Sequence, residues 1–130
     1  MKKISLLLCL LVLLTACPMD RGACIHVKNN SNQTIVVTAE YILPDTLWPK
    51  QPLFLTTINS NQSRIIYDSD VNDGYLQRME KGERLTLFVL SKDSVNSHSW
   101  EYLRENNVIL KRYEFNADEL DKMGQPITYP

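Results

Sequence analysis

With four glycines, three cysteines and two histidines in 130 residues, the chain has little material for most site chemistry. So few glycines leave no Gly-rich phosphate loop, and no serine stands in a nucleophile elbow. Neither His26 nor His98 lies in a motif that would activate a nucleophile, and Cys24 with His26 on one strand has no supporting third group. Cys24, His26 and His98 also lack the tight paired spacing of a structural zinc site. No catalytic residue, metal ligand or cofactor is therefore expected, and the chain reads as non-enzymatic. An excess of either charge is missing too. Fourteen basic residues stand against fifteen acidic ones, for a net charge of −1, which argues against nucleic acid as a partner.

Long apolar runs are absent with one exception at residues 4–14. At about eleven residues it falls well short of the roughly twenty needed to cross a hydrocarbon core as a helix. Preceded by Met1-Lys2-Lys3, it has the anatomy of a signal peptide. The residues that follow, Leu14-Thr15-Ala16-Cys17, resemble the lipobox of bacterial lipoproteins. The chemistry fits the spacing: a thiol carries the diacylglyceryl thioether, small residues ahead of it fit the peptidase, and an apolar residue three places upstream fills its pocket. The resemblance implies cleavage between Ala16 and Cys17 and acylation, including palmitate, at Cys17. Two or more acyl chains make a stable anchor where one is marginal.

The expected organisation is a signal peptide over 1–16, a lipidated tether over 17–23 and a single β-rich domain over 24–130. Removal of Lys2 and Lys3 with the leader leaves twelve basic against fifteen acidic residues, a formal charge of −3. Cys9 departs with the leader and Cys17 carries lipid, so Cys24 has no disulfide partner and reads as a small apolar side chain. Only Asp20 is acidic among residues 18–21, unlike the acid clusters of surface-exported bacteroidete lipoproteins. An outer-membrane anchor facing the periplasm is expected, with surface display as the alternative.

In the mature part, apolar residues alternate with a period close to two, the signature of half-buried strands. Ile25 and Val27 share one face opposite Cys24, His26 and Lys28. A polar turn at 29–33 and a β-branched stretch at 34–42 complete what reads as a β-hairpin. Pro44, Pro49 and Pro52 mark 43–52 as a loop or edge. A second strand pair is predicted from 53–58 and 64–67 around 59–63, followed by strands at 85–90, 108–115 and 127–129. Asn116 with Glu119 forms a capping-box pattern for a short helix ended near Gly124. A second helix is predicted over 97–105, and a weaker turn at 75–79. The fold class is α+β, mainly antiparallel β: a small β-sandwich-like domain with two or three short helices after an N-terminal signal helix.

Asn30-Ser31-Asn32-Gln33-Thr34 is echoed by Asn59-Ser60-Asn61-Gln62-Ser63. Two copies do not make a solenoid, and the echo reads as two turns built alike because asparagine tolerates positive φ. The run from Asp68 to Gly74 begins like a calcium loop but has Asp73 where the sharp turn needs glycine and Met79 where a bidentate glutamate belongs, so it reads as an acidic turn. Asp45-Thr46-Leu47 and Asp93-Ser94-Val95 match the Asp-Ser/Thr-apolar pattern of bacteroidete O-glycosylation, which makes Thr46 and Ser94 candidate acceptors in predicted loops. The Asn-x-Ser/Thr triplets at Asn29, Asn32 and Asn61 are eukaryotic in form and are set aside. Trp48, Trp100 and Tyr102 suit a glycan or peptide groove, although Trp100 and Leu103, three apart on a helix, are expected to pack together onto a sheet.

The stretch Val108 through Tyr113-Glu114-Phe115, the helix at 117–123 and the closing Ile127-Thr128-Tyr129-Pro130 resemble the tail of small uncharacterised bacteroidete lipoproteins. That family implies no activity or catalytic residue. The expected role is a lipid-anchored, non-enzymatic envelope protein that binds a protein or envelope component. A lipid-anchored immunity protein against an exported toxin is the alternative.

Overall fold

The computed structural model of the protein describes residues 23–42, 48–52, 54–69, 81–122 and 126–130. Seven strands appear among them: β1 (Ala23–Asn29), β2 (Ile35–Ile42), β3 (Thr56–Ile58), β4 (Ser63–Ser69), β5 (Arg84–Ser91), β6 (Lys111–Phe115) and β7 (Ile127–Tyr129). Three short helices accompany them, α1 (Lys92–Ser97), α2 (Trp100–Glu105) and α3 (Ala117–Asp121). The strands form two sheets, ordered β4-β1-β7 and β3-β2-β5-β6. All pairings are antiparallel except that of β7, which runs parallel to β1. The architecture is thus mainly antiparallel α+β and sandwich-like, as expected.

The connections are not those expected. β1 and β2 read as a hairpin but lie in different sheets, and so do β3 and β4. Both predicted pairs are instead arches that carry the chain from one sheet across to the other. The burial pattern explains why. In β1, Ile25, Val27 and Asn29 are buried while His26 and Lys28 are exposed, as in a sheet with one solvated face. In β2, residues 35–39 are all buried, and in β5 the six residues 85–90 are all buried. Such strands need cover on both faces. The two kinds of strand therefore belong to different sheets.

Between the sheets lies a core of Ile25, Val27, Ile66, Ile35, Val37, Ile58, Leu85, Leu87 and Val89, closed at one end by Leu120 of α3. Full burial of each such side chain contributes about 1.5–3 kcal/mol before chain entropy is counted. The other face of the second sheet carries a separate core of Trp48, Phe88, Leu90 and Leu103, with Val95, Trp100, Val108 and Ile109 packed against it. Val108 and Ile109, expected to begin a strand, serve this layer instead, and β6 starts at Lys111. The helix expected over 97–105 begins only at Trp100, and a helix that was not expected, α1, precedes it over Lys92–Ser97. Ser91 caps α1 by accepting from the Ser94 amide, and Ser99 caps α2 by accepting from the Tyr102 amide, so the chain breaks between them at His98. The capping box of α3 forms as read, with the Asn116 side chain accepting from the Glu119 amide and the Glu119 carboxylate from the Asn116 amide. The helix ends at Asp121, with Lys122 as its C-cap.

Candidate functional site

Asn29 organises the end of the sandwich where the two arches meet. It falls at the inward phase of β1 set by Ile25 and Val27 and is fully buried. A buried amide must find partners, and this one does. Its Nδ2 donates to the carbonyls of Gln33 at 2.7 Å and Ile58 at 3.1 Å, while Oδ1 accepts from the Ser31 amide at 3.0 Å and the Ser31 hydroxyl at 2.6 Å. One side chain thus folds its own arch and holds the end of β3. Its backbone amide donates to Gln62 O at 2.9 Å, and Ser60 Oγ donates to Ser31 O at 2.6 Å. Asn30 N donates to Tyr129 O at 2.6 Å, which fastens β7 to the same plate. The two Asn-Ser-Asn-Gln segments, 29 positions apart in the chain, stand side by side.

The expectation that both turns exploit positive φ is half right. Asn61 has φ of 60°, but no residue of the first arch has positive φ. The first arch turns through the Asn29 and Ser31 hydrogen bonds instead. Asn30, Asn32, Gln33, Asn59, Asn61 and Gln62 are exposed, and within the described residues the side chains of Asn30, Asn32, Gln33 and Gln62 make no hydrogen bond. Residues 29–34 and 58–63 contain no ionisable side chain.

The second distinct region is the outer face of the second sheet. At the arch end, Trp48 is buried against Phe88 and Trp100, each at 5.4 Å between ring centroids. Three hydrogen bonds strap the 48–49 segment to α2 and its following turn: Trp48 Nε1 to Asn107 Oδ1 at 3.0 Å, Trp100 Nε1 to Pro49 O at 2.9 Å, and Arg104 Nε to Trp48 O at 3.1 Å. Trp48 and Trp100 are therefore packing residues, and Trp100 and Leu103 join one core as expected. Tyr102 stays 45% exposed, stacked on His98 at 4.4 Å. Further along this face, Arg112 pairs with Glu114 at 2.5 Å and lies over the Phe88 ring at 5.4 Å, while Arg84 reaches Glu114 at 3.7 Å. Beside them Thr38 and Thr86 are fully buried, and neither hydroxyl has a hydrogen-bond partner.

The residues singled out in the sequence are not gathered into one place. Cys24 is in β1 opposite Asp68, and His26 is exposed on the solvent face of the first sheet. His98 follows α1 on the far side of the second sheet. No group of three or more metal-binding side chains occurs among the described residues. Ser94 is not in a loop but in the first turn of α1, because Ser91 caps there; the Ser91 hydroxyl donates to Ser94 Oγ at 2.7 Å. Ala16, Cys17, Thr46, the turn at 75–79 and most of the acidic run lie outside the described residues, with Asp68 and Ser69 closing β4. Sequence reasoning passed over Asn29, although a lone polar residue at the inward phase of a strand was a readable sign of a buried hydrogen-bonding hub.

Among the described residues, no helix is long and apolar enough to cross a membrane. Compared with protein-family models, with curated proteins and with solved structures, the chain finds no match.

Proposed function

We propose that the chain is a lipid-anchored, non-enzymatic envelope lipoprotein of bacteroidete type, held by acyl chains on Cys17 in the outer membrane and facing the periplasm, where it binds a protein or envelope component. The observation that carries this reading is Leu14-Thr15-Ala16-Cys17 followed only six residues later by Ala23, the first residue of β1. Six extended residues reach at most about 20 Å. A tether so short keeps the end of the sandwich where β1 begins close to the bilayer. Because β1 runs from Ala23 towards the arches, the arch end then points away from the membrane.

The test is fractionation of cells expressing the wild type or Cys17→Ser, together with labelling by radioactive palmitate. Label on the wild type and loss of membrane partitioning in the variant are expected; an unlabelled wild type, or a variant that partitions equally, excludes the anchor. O-glycosylation at Thr46 and Ser94 belongs to the same reading. The intact mass then exceeds that of the bare lipidated polypeptide, and a mass equal to it excludes the modification.

A further inference from the structure

We propose that the paired arches are a binding plate for a neutral glycan chain. This deepens the reading above by naming the chemical class of the envelope component.

The argument starts from a repeat that turn geometry leaves unexplained. If asparagine recurred only to supply positive φ, both arches would use it so, yet Asn61 has φ of 60° and its counterpart Asn32 does not have positive φ. The serines differ as well. Ser31 Oγ bonds within its own arch, to Asn29 Oδ1, while Ser60 Oγ reaches across to the first arch. The backbones and internal bonds diverge while the sequence stays the same. What the two copies share is their outward surface, with Asn32 and Gln33 exposed on one and Asn61 and Gln62 on the other.

That surface has a defined chemistry. The arches themselves bear no charge over 29–34 or 58–63, with the exposed cations Lys28 and Arg64 standing outside them on the first sheet, so the groups the plate presents are neutral hydrogen-bonding ones. Each carboxamide presents donors and an acceptor together, the complement of adjacent hydroxyls, which also donate and accept. Two like surfaces side by side suit a ligand whose own groups repeat. A polymer engaging both arches binds the second at high effective concentration. The plate is also preorganised, because Asn29 and the Ser60 to Ser31 bond fix one arch against the other, so little ordering cost remains for binding.

The full-length chain, solubilised in a detergent without a sugar headgroup, is applied to an array of neutral oligosaccharides running from single sugars to long oligomers. The strongest binder is then titrated by calorimetry. Binding should strengthen with chain length. Asn32→Ala with Gln33→Ala in one arch, or Asn61→Asp with Gln62→Ala in the other, should each weaken it roughly tenfold. All four together should abolish it, with the thermal midpoint unchanged; Asn61→Asp is chosen because aspartate tolerates positive φ. Tyr102→Ala, away from the plate, should bind as the wild type does. The proposal is overturned if no neutral oligomer is retained, if only charged glycans or proteins are retained, or if the four-residue variant binds undiminished. These readouts do not depend on Cys17, so failure of the anchor and failure of the plate are distinguishable.

Discussion

Single residues carry unusual weight at the joint between the sheets. Asn29 makes four side-chain hydrogen bonds in a fully buried position. Asn29→Ala removes them and leaves the Ile58 carbonyl without this donor, so a loss of about 2–4 kcal/mol is expected in urea unfolding. The opposite sign is expected at Thr38 and Thr86, whose hydroxyls are buried without partners. Valine has the same shape and no hydroxyl to desolvate, so Thr38→Val and Thr86→Val should each raise stability by about 1 kcal/mol; a fall in either variant would mean that its hydroxyl is bonded in solution. Tyr113 introduces a pH dependence. Burial, and then the nearby Tyr129, push its phenol above the ordinary 10.0, and its hydroxyl donates to Thr128 O at 3.3 Å, a bond the phenolate cannot make. The folded state holds this proton more tightly than the unfolded chain does. The stabilisation is therefore complete below about pH 10 and is lost as pH rises through the folded-state value. Unfolding followed from about pH 8 to about pH 11 should show that decline, and Tyr113→Phe should flatten it.

At the scale of elements, strands were legible and partners were not. Alternation located β1, β4 and β7, and the capping box located the start of α3 at Ala117, although the helix ends at Asp121 rather than near Gly124. The arches misled because 30–33 and 59–62 have the length and composition of hairpin turns. Whether a chain turns back within a sheet or crosses to another depends on what covers the faces of its strands. The readable hint was the unbroken β-branched run Ile35-Val36-Val37-Thr38, which suits a strand covered on both sides better than one with a wet face. That Asn29 is buried was readable from its inward phase on β1, but its partner Ile58 O was not, because β3 is distant in sequence. The helical layer was half legible: the spacing of Trp100 and Leu103 was seen, but the Ser99 cap that splits it from α1 was not. This layer depends on Leu103, buried against the second sheet. Leu103→Ala should cost about 2–5 kcal/mol and free α2 with the 48–49 strap, seen as faster amide exchange there and little change in β1.

On the scale of the whole molecule, the two sheets are unequally protected. The second is covered on both faces, whereas the first presents His26, Lys28 and Ile65 to water. Proteolysis under native conditions should therefore cut at the solvated first sheet before it reaches β5, whose six central residues are buried.

The parallel pairing of β7 with β1 places Val27 beside Ile127, Lys28 beside Thr128 and Asn29 beside Tyr129. β1 therefore finds this neighbour 100 positions further along the chain. Contacts so distant along the chain form late and slowly. Completion of the first sheet therefore waits on two segments 100 positions apart, whereas β5 and β6 of the second sheet meet across only 22 to 30 positions.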